Sequence, residues 1–208
     1  MTRIHFWWYS MIVSLVLFIC MTSAIYFDLL VSFDQTIIYF IQGFETPILT
    51  TIFTSFTHFG SIIGTLIVFF ILLFIFLKLK WRAESIILTA VTLSTPFINS
   101  LLKSILQRPR PDLNLLIEIG GYSFPSGHTM YAVSLYGITL VLLLFKFKKL
   151  SERILFTILI IFMITMITVS RVYLGVHYPS DIIGGIFVSV WIISITFYLY
   201  LRIRDKEK

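Results

Sequence analysis

Apolar residues gather into six runs along this chain, about Ile4 to Leu30, Phe56 to Leu77, Ala83 to Leu102, Gly127 to Phe145, Ile154 to Ser170 and Ile182 to Leu201. A helix needs about 20 apolar residues to cross a bilayer, and each run can supply one, the shorter ones only just. The pattern predicts an all-α, polytopic membrane protein with six transmembrane helices in a bundle. The first run is too long for the apolar core of a signal peptide and is expected to stay as an uncleaved anchor. Between the first two runs, Asp28 to Ser55 sets Phe33, Ile37, Ile38, Phe40, Ile41 and Phe44 among polar residues. That mixture suits a helix lying in the membrane interface. Two roles stay open for it: a cover over a lipid access route, or a packed connecting helix.

Composition strengthens the membrane reading. Of 208 residues, 58% are hydrophobic and 12% charged, against about a quarter charged in soluble domains. Six spans use up most of such a length, so a single membrane-embedded domain over residues 1–208 is expected, with its chemistry confined to short loops. The lone Cys20 allows neither an internal disulfide nor a cysteine metal cluster.

A formal charge of +6 would fit nucleic acid if the basic residues formed a patch, but they sit at the ends of apolar runs, and no nucleic-acid partner is expected. Their distribution instead sets orientation, because basic residues in short loops stay on the cytoplasmic side. Arg3, Lys78, Lys80, Arg82, Lys146, Lys148, Lys149, Arg153, Arg202, Arg204, Lys206 and Lys208 fall on one side; only Lys103, Arg108, Arg110 and Arg171 fall on the other. Both termini are therefore expected in the cytoplasm, with Trp7, Trp8 and Tyr9 in the inner interfacial belt.

The four outer basic residues oppose the topological bias, and three stretches on their side explain why. These are Lys103 to Arg110-Pro111, then Pro125-Ser126-Gly127-His128, then Ser170-Arg171 with His177 and Asp181. A phosphoryl group carries its charge on non-bridging oxygens, and catalysis of its transfer rests on positioning and on donors that meet that charge. Lys103, Arg110 and Arg171 can form the clamp, the arginines through bidentate contacts. Ser126 and Gly127 precede the fourth apolar run, so their backbone N–H groups and the helix dipole can face an anion. Four residues separate His177 from Asp181 at a helix start, letting the carboxylate fold back onto the imidazole and free its other nitrogen to attack phosphorus. His128 can protonate the departing oxygen. Ionisable groups at membrane depth are by default functional. The outer acids Asp28, Asp34, Glu45, Asp112 and Glu118 show no metal-ligand spacing, and no metal or other cofactor is expected.

These residues resemble the type 2 phosphatidic acid phosphatase superfamily, whose motifs Lys-x6-Arg-Pro, Pro-Ser-Gly-His and Ser-Arg-x5-His-x3-Asp are intact here. The resemblance covers nearly the whole chain. It implies His177 as nucleophile, Asp181 as its orienter and His128 as acid and base, with Lys103, Arg110, Ser126, Gly127 and Arg171 binding the phosphate. Arg108 lies outside the motif and is left as a headgroup or surface contact. The implied activity is hydrolysis of a lipid phosphomonoester or pyrophosphate, such as phosphatidylglycerophosphate, phosphatidate or undecaprenyl pyrophosphate, at the outer face of the cell membrane. Membrane lipids are the expected partners, and no obligate protein partner is evident. A lipid phosphotransferase of the same fold and a non-enzymatic anion-binding protein are the alternatives.

Overall fold

The computed structural model describes residues 2–112, 115–117 and 119–206, and among them the only regular elements are helices. The Glu118 named above lies outside the described residues. In chain order the helices are α1 Thr2–Tyr26, α2 Val31–Gln42, α3 Pro47–His58, α4 Ile62–Lys78, α5 Arg82–Leu106, α6 Gly127–Lys146, α7 Leu150–Tyr173 and α8 Pro179–Lys206. Five of them, α1 and α5 to α8, are long and apolar enough to cross a membrane. The apolar α4, at 17 residues, spans about 25 Å and sits at the lower limit of a crossing. Each of the six apolar runs thus contains a helix.

The boundaries shift where local chemistry breaks an apolar run. Helix α1 stops at Tyr26, ahead of a turn in which Asp28 takes a positive φ of 56°. The segment expected as one interfacial helix is two, α2 and α3, bent by 118°. Thr46 causes the restart, since its side chain accepts from the Leu49 N–H, and Pro47 follows at the first helical position. The second apolar run breaks likewise, so Phe56 belongs to α3, and Ser61 caps α4 by accepting from the Gly64 N–H at 3.0 Å. A Cβ on Gly64 would stand 1.9 Å from the His58 carbonyl oxygen, so only glycine permits this tight α3–α4 turn.

Helix α6 is the axis of the bundle, packed by α5, α7, α8 and α4. Its Met130, Ala132, Leu135, Ile138 and Leu142 are buried, whereas only 6% of the apolar window of α1 is. Lipid tails are as apolar as leucine, so helices in a membrane associate through close packing and polar contacts instead of escape from water. The α1–α8 pair shows both: the Ser10 and Ser194 hydroxyls meet at 2.9 Å and Trp7 stacks on Phe197 with centroids 4.5 Å apart. At the lysine-rich end, Lys146 pairs with Glu84 at 2.8 Å, joining α6 to α5. The other end gathers the C-termini of α5 and α7, the N-termini of α6 and α8, and the α2–α3 layer.

Candidate active site

That second end is where the sequence motifs meet. Helix α7 ends at Tyr173, Gly175 turns the chain with a φ of 76°, and α8 begins at Pro179. The turn leaves His177 and Asp181 facing each other across one helix start. His177 Nδ1 lies 3.2 Å from Asp181 Oδ2, which also accepts the Tyr178 N–H at 2.9 Å. The histidine is 2% exposed and the aspartate 0%. With Nδ1–H donated to the carboxylate, Nε2 keeps its lone pair, and it faces Arg110 Nη1 at 3.4 Å. Burial first, and then the nearby Arg171, Lys103 and Arg110 charges, hold His177 well below the ordinary histidine value. The ring is therefore neutral, the form that can act as a nucleophile.

The cations arrive from three elements. Lys103, on the last turn of α5, donates to the Tyr122 carbonyl at 2.7 Å. Arg110 is fixed by the carbonyls of Gly120, Gly121 and Val176 at 3.1, 3.1 and 2.8 Å. Arg171, 1% exposed, donates from Nη1 to the Thr57 hydroxyl at 2.6 Å, while its buried Nε has no partner. A buried donor left unpaired is costly, and this one lies in a side chain that lines a cavity of about 340 Å³. Lys103, Arg110, Gly127, His128 and His177 line the same cavity. Six of the eight residues expected from sequence thus share one wall.

The remaining two stand behind that wall. Asp181 backs His177 as expected. Ser126 differs from the expectation that its backbone N–H faces the anion: the N–H donates to the Asp181 carbonyl at 3.2 Å, and its hydroxyl caps α6 by accepting from Thr129. Its physical role here is to tie the start of α6 to the start of α8. Gly127 does reach the cavity, and a Cβ there would come within 3.0 Å of Asn99 Oδ1.

Three further residues at this site have roles that the motifs do not announce. Asn99, buried in α5, donates to the Pro125 carbonyl at 3.1 Å and so holds the Pro-Ser-Gly-His turn. Its signal was an amide in the middle of an apolar run. Arg108, expected as a headgroup or surface contact, turns inward and pairs with Asp34 and Asp181. Thr57 orients Arg171 from α3, with no signal short of the fold itself. Among the described residues, no group of three His, Cys, Asp or Glu side chains could hold a metal.

A cationic pocket with an oriented neutral histidine at its wall defines a class of protein that transfers phosphoryl groups. Residues 84–205 match the PAP2 superfamily, more than half of the chain, and the protein belongs to that superfamily. Phosphatidylglycerophosphatase B of Bacillus subtilis is 29% identical over 92% of this chain and 93% of its own. A crystal structure of a transmembrane PAP2-type phosphatidylglycerolphosphate phosphatase from Bacillus subtilis matches with a TM-score of 0.81 at 27% identity, covering 96% of this chain and 98% of that one. A lipid A 4'-phosphatase of Bacteroides thetaiotaomicron is 27% identical over 78% of this chain and 74% of its own. The protein is a helical membrane phosphatase, a phosphoric ester hydrolase.

Proposed function

We propose that this phosphatase hydrolyses the phosphomonoester of a membrane lipid, with phosphatidylglycerophosphate as the leading substrate, through a phosphohistidine intermediate on the extracytoplasmic face. The observation that carries the mechanism is His177: Nδ1 on Asp181, Nε2 toward the cavity, and three cations around it. The name of the full-length Bacillus subtilis relative favours the substrate. Twelve basic residues on one side against four on the other favour the orientation.

In the first step the substrate's phosphate enters the clamp of Lys103, Arg110 and Arg171, with the Arg171 Nε donor gaining an oxygen partner. The Gly127 end of α6 adds its dipole. His177 Nε2 attacks phosphorus in line as the bond to the lipid oxygen breaks, and His128, which takes up a proton once the phosphate's negative charge lies beside it, gives that proton to that oxygen. The lipid alcohol leaves. In the second step His128, now neutral, takes a proton from water while the water oxygen attacks phosphorus. The P–N bond breaks, His177 returns to its neutral form, and His128 gives up its proton as the phosphate departs. Asp181 stabilises the positive charge that His177 carries between the steps.

The test is phosphate release from purified protein in detergent, offered phosphatidylglycerophosphate, phosphatidate or undecaprenyl pyrophosphate. Release is expected with the first strongest, and His177→Ala should lose about 10³-fold or more. Undiminished release by His177→Ala would overturn the mechanism. Release only after a lipid acceptor is added would make the protein a phosphotransferase.

A further inference from the structure

Of the four basic residues at this end of the bundle, Arg108 alone is absent from the cavity wall. Its guanidinium is bonded through both terminal nitrogens, while the side chain, 15% exposed, borders a separate cavity of about 440 Å³. Nη1 donates to Asp181 Oδ1 at 2.6 Å and to the Ser180 hydroxyl at 2.8 Å; Nη2 donates to Asp34 Oδ2 at 2.9 Å. The Tyr178 ring covers it, 4.0 Å from centroid to the guanidinium carbon. Asp34 comes from α2, 146 residues before Ser180, and is 1% exposed. Its two oxygens take the Ser180 N–H at 2.9 Å and the Ser180 hydroxyl at 2.6 Å. A charge on a connecting helix, buried and multiply bonded against the catalytic turn, calls for a reason beyond topology.

We infer that Arg108 and Asp34 are positioning residues that lock the Asp181 carboxylate so that its Oδ2 stays on His177. The inference rests on the phosphohistidine reading. Asp181 divides its oxygens: Oδ2 serves His177 and the Tyr178 N–H, and Oδ1 serves Arg108. Without the arginine, Oδ1 loses its charge-assisted bond, and only the Tyr178 N–H and Ser123 are left to hold the carboxylate against rotation away from the imidazole. Asp34 and Ser180 in turn hold the guanidinium plane, so a helix outside the three motifs becomes part of the catalytic support. A headgroup role is ill suited to Arg108, because Nη1 and Nη2 are already engaged by carboxylates and Ser180.

Steady-state kinetics on phosphatidylglycerophosphate, with histidine-labelled NMR of the same variants in detergent, tests this. Arg108→Ala should lower kcat by about 100-fold while KM stays within about threefold, the size expected for a support of a reacting group. Arg108→Lys should recover part of that loss, and Asp34→Asn should lose about 10-fold. The downfield Nδ1 proton of His177 should weaken or move in Arg108→Ala and persist in Arg108→Lys. A rise in KM at unchanged kcat would overturn the inference and make Arg108 a substrate contact, as would an unmoved Nδ1 proton in Arg108→Ala. Should Arg108→Ala not fold, Asp34→Asn decides alone, since its side chain keeps the shape of the native one; full activity there overturns the inference. Wild-type protein releasing no phosphate would sink the phosphatase reading instead, and the NMR comparison would still judge the lock.

Discussion

Two cavities open at opposite ends of this bundle. The one among Phe6, Trp7, Leu144 and Ile164 measures about 800 Å³; the one beneath His177 measures about 340 Å³. The larger is walled mainly by apolar side chains from α1, α6, α7 and α8, the ordinary packing residues of a membrane bundle. The smaller concentrates three cations and two histidines in a chain with only 12% charged residues. In a membrane protein it is thus the placement of charge, not the amount of empty space, that marks the chemistry.

Breaking the smaller cavity should have the largest effects. Arg171→Ala removes a buried clamp whose Nε awaits an oxygen, and kcat/KM for the lipid phosphate should fall by about 10³-fold. Arg171→Lys keeps the charge but loses the planar fork, and should still lose about 10- to 100-fold. Both are read by steady-state phosphate release. Gly127→Ala forces a methyl against Asn99, so a loss of about 10-fold is expected. Gly127→Ala combined with Asn99→Ala tests whether that contact is the cause: the two losses should not add.

A pH measurement sharpens the contrast further. A base whose value is depressed stays unprotonated as pH falls through its ordinary range, here about 6.5 for histidine. His177 should therefore remain neutral as the pH falls through about 6.5 in the free protein, as read by NMR of its ring nitrogens. Protonation of His177 with a midpoint at or above that ordinary value would contradict the buried, cation-flanked setting. The smallest effect belongs to the larger cavity. Leu144→Trp, which fills it from one wall, should change kcat/KM by less than about twofold, because no group there reaches the reacting phosphate. A loss comparable to that of Arg171→Lys would erase the distinction between the two cavities.

What could be read from sequence was local or compositional. Six apolar runs announced the helices, and the four-residue spacing of His177 and Asp181 announced their pairing, since a helix start brings such positions together. The break at Gly60-Ser61 was masked because Phe56 to Leu77 is apolar on both sides of it, and hydropathy does not register a capping hydroxyl. In the sequence Asp34 stands only as an outer acid without metal spacing. Its partners are Arg108 and Ser180, 74 and 146 residues away, a distance that only the folded bundle closes. Ser126 stands just ahead of the fourth apolar run, where its N–H is expected to face an anion, yet its hydroxyl and N–H are both committed to the frame.

That commitment bears on how the protein tolerates change. The bond from the Ser126 N–H to the Asp181 carbonyl belongs to the main chain, so it does not depend on the side chain at position 126. Nineteen of the twenty standard residues would supply the N–H, and proline alone would not. The link between the His128 and His177 helix starts therefore survives any substitution that this fully buried position can hold, and what such a change removes is the capping hydroxyl.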